Sequence, residues 1–207
     1  MKAFIGISIN SPYFSHQNLL NYVRYIDGIN NLNVSDLAFL IGDTPYALTH
    51  SVLNQISISK SHQIVKNKGK DFVRLINNIL EKEVGLSFST RVFTWEDITK
   101  CDFYNDLYTK TLRLYYNNSE FKKQIRKQVL LNLEKSLVNK DLNEFEFSLL
   151  DYYMIDEIAG LLTMSEHFQY QYEIYPGQDL FILEKIIARE FDLLDKYNRE
   201  FIELRFL

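Results

Sequence analysis

The run Ala3-Phe4-Ile5-Gly6-Ile7 is an apolar, strand-forming segment that stops at Ser8, and a polar loop, Asn10-Ser11-Pro12-Tyr13-Phe14-Ser15, follows it. A second run, Asp36-Leu37-Ala38-Phe39-Leu40-Ile41-Gly42-Asp43, does not alternate between polar and apolar residues. Strands that read as continuous apolar runs are buried on both faces, which is the habit of parallel sheets covered by helices. Between the two runs, Leu19, Leu20, Val23 and Ile26 recur at helical spacing over residues 17–26. Strand, helix and buried strand in that order predict an α/β fold, a single Rossmann-like domain over residues 1–207 with a mostly parallel central sheet flanked by helices.

The remaining chain supports the same alternation. Helical pattern runs from Tyr46 to Leu80, after Thr44-Pro45 at an early helical position and with a break around Ser57–Ser61. Residues 86–93 read as a third strand, and Thr94 with Asp97 makes a helix N-terminus. Helices are expected over 103–116, 121–133 and 142–164. A strand is expected over 168–174, a turn at Pro176-Gly177, a helix over 180–197 and a last strand over 201–206.

Composition narrows the function classes. The chain of 207 residues has a net charge of −4 and 14% aromatic residues. An acidic total argues against a general nucleic-acid binder and leaves room for a local basic patch. One cysteine, Cys101, excludes an internal disulfide and a multi-cysteine metal site, and His16, His50, His62 and His167 have no ligand spacing. Apolar runs are too short to cross a bilayer, and the first strand begins too early for a leader segment, so a cytoplasmic protein is expected.

Three stretches carry chemistry. Ser8 ends the first strand, where ligands bind in parallel α/β sheets, and Gly6 shares its face and leaves space beside it. Asn10 stands where the G-x-S-x-G elbow of the α/β-hydrolases requires glycine. Serines at strand ends are also ordinary turn formers. In Asp151-Tyr152-Tyr153-Met154-Ile155-Asp156-Glu157, Tyr153 and Glu157 lie four residues apart on one helical face. That helix is largely apolar, so a carboxylate on its buried face needs a cation, from a lysine or from a substrate ammonium. The alternative is a solvated face carrying Asp151, Asp156 and Glu157. Tyr175-Pro176 ends a later strand and brings a phenol to the same sheet edge as Ser8.

Together these stretches resemble the cyclodipeptide synthases, which join two aminoacyl groups from charged tRNAs into a diketopiperazine. The family's motif H-x-[LVI]-[LVI]-G-[LVI]-S is matched by Lys2-Ala3-Phe4-Ile5-Gly6-Ile7-Ser8, and Y-[LVI]-x-x-E-x-P by Tyr153-Met154-Ile155-Asp156-Glu157-Ile158-Ala159. Lys2, Phe4, Met154 and Ala159 depart from the pattern; Ser8, Tyr153 and Glu157 keep it. Ser11 with Tyr175-Pro176 resembles the subgroup that lacks Asn three residues after the nucleophile. The resemblance implies a fold like the catalytic domain of tyrosyl- and tryptophanyl-tRNA synthetases, without HIGH or KMSKS signatures, and no need for metal, ATP or other cofactor.

The resemblance also implies roles. Ser8 is the nucleophile, and Glu157 with Tyr153 holds the α-ammonium. A second aminoacyl-tRNA presents an amine that must lose a proton, a dipeptidyl-serine forms, and Tyr175 aids ring closure. Gly6, Ser11, Tyr104 and Phe4 are expected at the substrate, with Ala38 or Leu40 beside them. Lys60, Lys66, Lys68, Lys70 and Arg74 are expected to bind the acceptor arm of the first tRNA, and Lys122, Lys123, Arg126 and Lys127 could serve the second. Either basic run reads equally as an ordinary solvated helix face. Partners are two aminoacyl-tRNAs with no membrane and no metal, and the state is monomeric by analogy. Two other readings stay open, a non-catalytic aminoacyl-tRNA-binding module of the same fold and a serine esterase.

Overall fold

In a computed structural model, which describes residues 1–28, 33–83, 85–137 and 141–204, strand β1 (Lys2–Ile7) is the middle of a five-stranded sheet. A 3₁₀ turn, Pro12–Phe14, and helix α1 (His16–Gly28) lead to β2 (Asp36–Ile41). Helices α2 (Asp43–Asn54) and α3 (Ile58–Lys82) lead to β3 (Ser89–Thr94). Four helices follow: α4 (Trp95–Thr99), α5 (Asp102–Asn117), α6 (Ser119–Leu137) and α7 (Glu144–Glu166). The chain closes with β4 (Tyr172–Tyr175), α8 (Phe181–Ile187) and β5 (Glu200–Glu203). The strand order is β3-β2-β1-β4-β5, and every pairing is parallel. The expected parallel α/β sheet is therefore present, with β2 buried along its whole length.

Alternation along β1 divides the core. Ala3, Ile5 and Ile7 point to a layer built with α1 and α3 residues such as Leu19, Val23 and Val65. Phe4 points the other way, into a layer with Ala38, Leu40 and the buried residues of α5, α6 and α7. Helix α7 is apolar nearly all round because it sits inside this second layer, against α2, α5 and α6. Its start is set by Asn143, whose side chain accepts the amide of Glu146 while the Glu146 carboxylate accepts the amide of Asn143.

Several element boundaries differ from expectation. The break in the long helical pattern falls at 55–57, where Gln55 takes a left-handed conformation (φ 52°) and Ser57 caps α3. The third strand starts at Ser89, because its ladder begins only opposite Asp36. The strand expected over 168–174 is β4, Tyr172–Tyr175, since Gln169 is left-handed (φ 64°) and pairing starts opposite Ala3. The helix expected over 180–197 ends at Ile187. Arg189 turns left-handed (φ 62°), and the following loop wraps the Tyr197 hydroxyl, which accepts the amides of Leu193 and Leu194. The last strand is Glu200–Glu203; Arg205 and Phe206 lie outside the described residues. Among the described residues, no helix is long and apolar enough to cross a membrane.

Trp95 fixes how α4 meets α7. A β-carbon on Gly160 would lie 2.1 Å from Trp95 Cη2, so the indole rests directly on the α7 backbone. Its Nε1 donates to Asp156 Oδ1 at 2.9 Å. Gly160→Ala is expected to push the indole away and lower stability by about 1–3 kcal/mol, the usual cost of overpacking. Urea unfolding of the two proteins measures it; equal midpoints would mean that the indole does not rest there.

Candidate functional site

The sheet reverses its winding at β1. Strands β2 and β3 lie to one side of it and β4 and β5 to the other. Loops leaving β1 and β4 diverge at such a point and open a crevice beyond the carboxyl ends of the strands. A cavity of about 630 Å³ occupies that position, lined by Gly6, Ser8, Ser11, Tyr153, Glu157 and Tyr175 among others. These six residues, scattered over the sequence, are thereby brought together as expected.

Ser8 follows the last residue of β1. Its carbonyl accepts the amide of Ser11 at 3.0 Å, which closes a turn, and the Ser11 hydroxyl accepts the amide of Tyr13 at 3.3 Å. The Tyr22 hydroxyl donates to the Tyr13 carbonyl at 2.9 Å and pins the loop from behind. The Ser8 hydroxyl makes no hydrogen bond among the described residues, and it is half-buried at the cavity wall. No histidine is among the described residues that line the cavity. His50 is engaged elsewhere, with its Nδ1 3.0 Å from the Ser61 hydroxyl.

Helix α7 supplies the carboxylates, and each has a different partner. Asp151 is fully buried and accepts from Arg126 and from the Tyr115 hydroxyl (2.7 Å). Asp156 accepts from Trp95 and from the Tyr104 hydroxyl. Glu157 faces the cavity. Its Oε2 is buried with no hydrogen-bond partner among the described residues. Burial lifts the Glu157 pKa to about 7; the Tyr153 hydroxyl, a hydrogen-bonding neighbour, opposes that rise, and the charges of Glu173 and Asp156 add to it. Burial, then the negative charge of Glu157, raises Tyr153 well above the usual phenol range. The solvated-face reading of these acidic residues does not hold.

Tyr175 ends β4 and is held against Phe14, ring centroids 5.7 Å apart. Burial, followed by the charges of Glu157 and Glu173, raises its pKa, and a hydrogen bond with the Ser11 side chain opposes this. Tyr153, Glu157 and Tyr175 therefore form one electrostatic group around the cavity that Ser8 enters from β1.

Some expected positions fall elsewhere. Phe4 is fully buried in the α7 layer and does not line the cavity; it shares a face with Gly6, but packing covers Phe4 while Gly6, nearer the carboxyl end of the strand, lies at the opening. Tyr104 is likewise one layer away, spent on Asp156 behind Trp95. Arg126 is not a free surface cation. It is bound to buried Asp151 and to Glu144, and its guanidinium lies 4.5 Å from the Phe147 ring centre. On α3, Lys60, Lys66, Lys70 and Arg74 are exposed. Lys66 pairs with Glu96 and Arg74 with Asp71, both at 3.2 Å, and exposed pairs of this kind are worth little. Lys68 leans to the cavity mouth, where its Nζ is 3.1 Å from Asn10 Oδ1.

Other residues of the site were not legible beforehand. Tyr46 of α2 meets the Asn10 amide at the cavity edge, and Trp95 forms part of the wall. Glu173 of β4 and Asp179 also line the cavity, and both are bound by buried Arg199 (Glu173 Oε2 at 2.7 Å, Asp179 Oδ1 at 2.5 Å). Tyr46 follows a proline at a strand-to-helix turn, which is a usable signal. Arg199 has none, because its role exists only once β5 lies beside β4.

No protein-family model matches the chain, and no curated protein does. Solved structures do. A cyclodipeptide synthase from Bacillus thermoamylovorans is 19% identical with a TM-score of 0.78 over 99% of this chain and 88% of that one. A cyclodipeptide synthase from Candidatus Glomeribacter gigasporarum, bound to Phe-tRNAPhe, is 22% identical with a TM-score of 0.76 over 100% and 88%. A Mycobacterium tuberculosis protein described as showing that cyclodipeptide synthetases are related to type I tRNA synthetases is 16% identical, with a TM-score of 0.75 over 96% and 83%. The chain shares their fold.

The raised pKa of Glu157 has a consequence for stability. The folded protein holds this proton more tightly than the unfolded chain, whose carboxyl has the ordinary value of 4.5. The penalty is absent below about pH 4.5, grows as pH rises, and is complete above about pH 7, at about 3 kcal/mol. Glu157→Gln removes it. Its melting temperature is expected to match the parent protein at pH 4 and to exceed it by roughly 5–10 °C at pH 8; circular dichroism melts at both pH values test this.

Proposed function

We propose that this chain is a tRNA-dependent cyclodipeptide synthase that works through aminoacyl- and dipeptidyl-serine intermediates on Ser8. The observation that carries the reading is the buried Oε2 of Glu157, which has no hydrogen-bond partner among the described residues and faces the same cavity as Ser8, Tyr153 and Tyr175. A buried carboxylate without a cation is costly, and an incoming ammonium removes the cost. The shared fold and the motif residues at Gly6, Ser8, Tyr153, Glu157 and Tyr175 agree with this reading.

The first step exchanges one ester for another. The Ser8 hydroxyl attacks the aminoacyl carbonyl, the bond to the terminal ribose breaks, and the proton leaves with the ribose oxygen. Glu157 and Tyr153 hold the α-amino group so that the carbonyl lies beside Ser8. The second step departs from the order read off the sequence. For the dipeptide to remain on Ser8, the attacking amine must belong to the Ser8-bound residue, and the second aminoacyl-tRNA must supply the carbonyl. Attack in the opposite sense would leave the dipeptide on tRNA. As the new amide bond forms, the ester bond to the second tRNA's terminal ribose breaks; Glu157, with a pKa near 7, is suited to accept the proton that the amine loses and to return it to the departing ribose oxygen.

Ring closure releases the enzyme. The free amine of the dipeptide attacks the serine ester, the new amide bond forms and the ester C–O bond breaks. Tyr175 gives its proton to the departing Ser8 oxygen and takes one from the amine, so no net proton is lost. Its raised pKa keeps the phenol protonated between turnovers. Holding both reacting ends on one chain supplies about 7–11 kcal/mol of the barrier. The serine-esterase reading lacks support, because a base of histidine type is missing from the described cavity residues.

Charged tRNA would approach over the exposed cations of α3, with Lys68 nearest the cavity mouth. Phosphate contacts of this kind position the acceptor arm without reading sequence.

Two measurements test the proposal. Incubation of the purified protein with charged tRNA is expected to add one aminoacyl mass to the chain and none to Ser8→Ala, which also makes no diketopiperazine; product from Ser8→Ala would refute the mechanism. Lys66→Glu with Lys70→Glu is expected to weaken tRNA binding at every amino acid alike. It should also flatten the salt dependence by about one unit of log–log slope for each phosphate no longer neutralised. An unchanged slope would place the tRNA on another surface.

A further inference from the structure

Glu173 stands beside Phe4 in the sheet and on the same face, where Phe4, Ala38 and Leu40 belong to the apolar layer under α7. A carboxylate in that row is out of character with its neighbours. Its Oε2 takes two donors from one guanidinium, Arg199 Nε at 2.9 Å and Nη2 at 2.7 Å. The same guanidinium also holds both oxygens of Asp179, at 2.5 and 2.8 Å. One buried cation therefore serves two buried carboxylates. Glu173 Oε1 is left without a hydrogen-bond donor among the described residues. That oxygen is 3.9 Å from where a β-carbon on Gly6 would lie, and both residues line the cavity.

A group that only tied β5 to the sheet would have no reason to leave an acceptor beside an opening. Apolar packing of similar volume is as stable as a buried ion pair, or more so. Glu173 Oε1 opens on the cavity, and a side chain seated there displaces its water, which costs free energy unless that side chain brings a donor. A hydrocarbon side chain seated beside Gly6 would leave that oxygen unmet, and an anionic one would be repelled by the surplus negative charge. A side chain ending in a donor satisfies both demands.

We propose that Glu173 selects the first aminoacyl group, and that the side chain seated beside Gly6 ends in an N–H or O–H donor, neutral or cationic, and is neither hydrocarbon nor anionic. This rests on the reading of Ser8 as the acylated residue. Discrimination by one buried acceptor is on the order of 10–100-fold.

The test loads Ser8 of the full chain from tRNA charged separately with histidine, glutamine, lysine, serine, leucine, phenylalanine, valine or glutamate, followed by intact mass against time. Donor-tipped residues are expected to include the fastest substrate, about 10–100-fold ahead of leucine, phenylalanine and valine. Fastest loading of a hydrocarbon or anionic residue would overturn the selection by Glu173 and leave the role of Ser8 standing. Loading by none of the eight would overturn both. The triple variant Glu173→Leu, Arg199→Met and Asp179→Asn removes the whole ion group together and leaves neither a cation nor an anion stranded. It is expected to move the preference toward leucine and phenylalanine; an unchanged ranking would mean that the ion group is structural. Should this variant fail to fold, the ranking in the parent protein decides.

Discussion

The central strand has no free edge and no free face, and that constraint organises the molecule. β1 is hydrogen-bonded to β2 on one side and β4 on the other, and helices cover it above and below. A strand so placed must be apolar along its length, since any polar side chain within it would lose water without gaining a partner. Polarity is admitted only where the strand ends. Ser8 is the first residue past that point, and the reversal of winding between β2 and β4 keeps the space above it empty of connecting chain.

The cavity in that space is electrostatically unbalanced. Glu157, Glu173 and Asp179 face it, and Arg199 is the cation bound to two of them. Phenols of Tyr153 and Tyr175 surround the remaining carboxylate and are held in their protonated form by burial and by the adjacent negative charge. Such an environment favours a cationic amine over any other small group. It also places a carboxyl with a pKa near 7 next to phenols that donate, which is a workable arrangement for moving protons between an amine and an alcohol.

Support for this arrangement comes from behind. Asp151, Asp156 and Glu157 are near neighbours on one helix, yet two are consumed in fixing other helices. Asp151 ties Arg126 of α6 and Tyr115 of α5, and Asp156 ties Trp95 of α4 and Tyr104 of α5. The helix that presents Glu157 is thereby locked in rotation as well as position. A one-residue turn of α7 would bury the wrong carboxylate against the wrong partner.

The order of strands and helices, the parallel sheet and the gathering of Ser8, Tyr153, Glu157 and Tyr175 were legible in the sequence. The elements and the sheet follow from short-range rules, namely unbroken apolar runs, helical spacing and the break at a strand's end, whereas the gathering of those four residues is what the family resemblance implies. The positions of Phe4, Tyr104 and Arg126 were not, since each is decided by which neighbour lies across the interior. Alternation says that Phe4 and Gly6 share a face, and packing alone decides that one fills the core while the other opens on the cavity. The left-handed residue Gln169 delayed the start of one strand and Arg189 closed off a helix that apolar spacing extended, because spacing carries no record of φ. Arg199 is the clearest case. In sequence it is a lone arginine near the end of the chain, and it becomes the counterion of Glu173 and Asp179 only when β5 lies down beside β4. The sequence by itself determined which backbone segments form the sheet and which groups stand at its rim. Tertiary structure decided which charges are paired and which are left to meet a ligand, because pairing depends on distances that no spacing along the chain encodes.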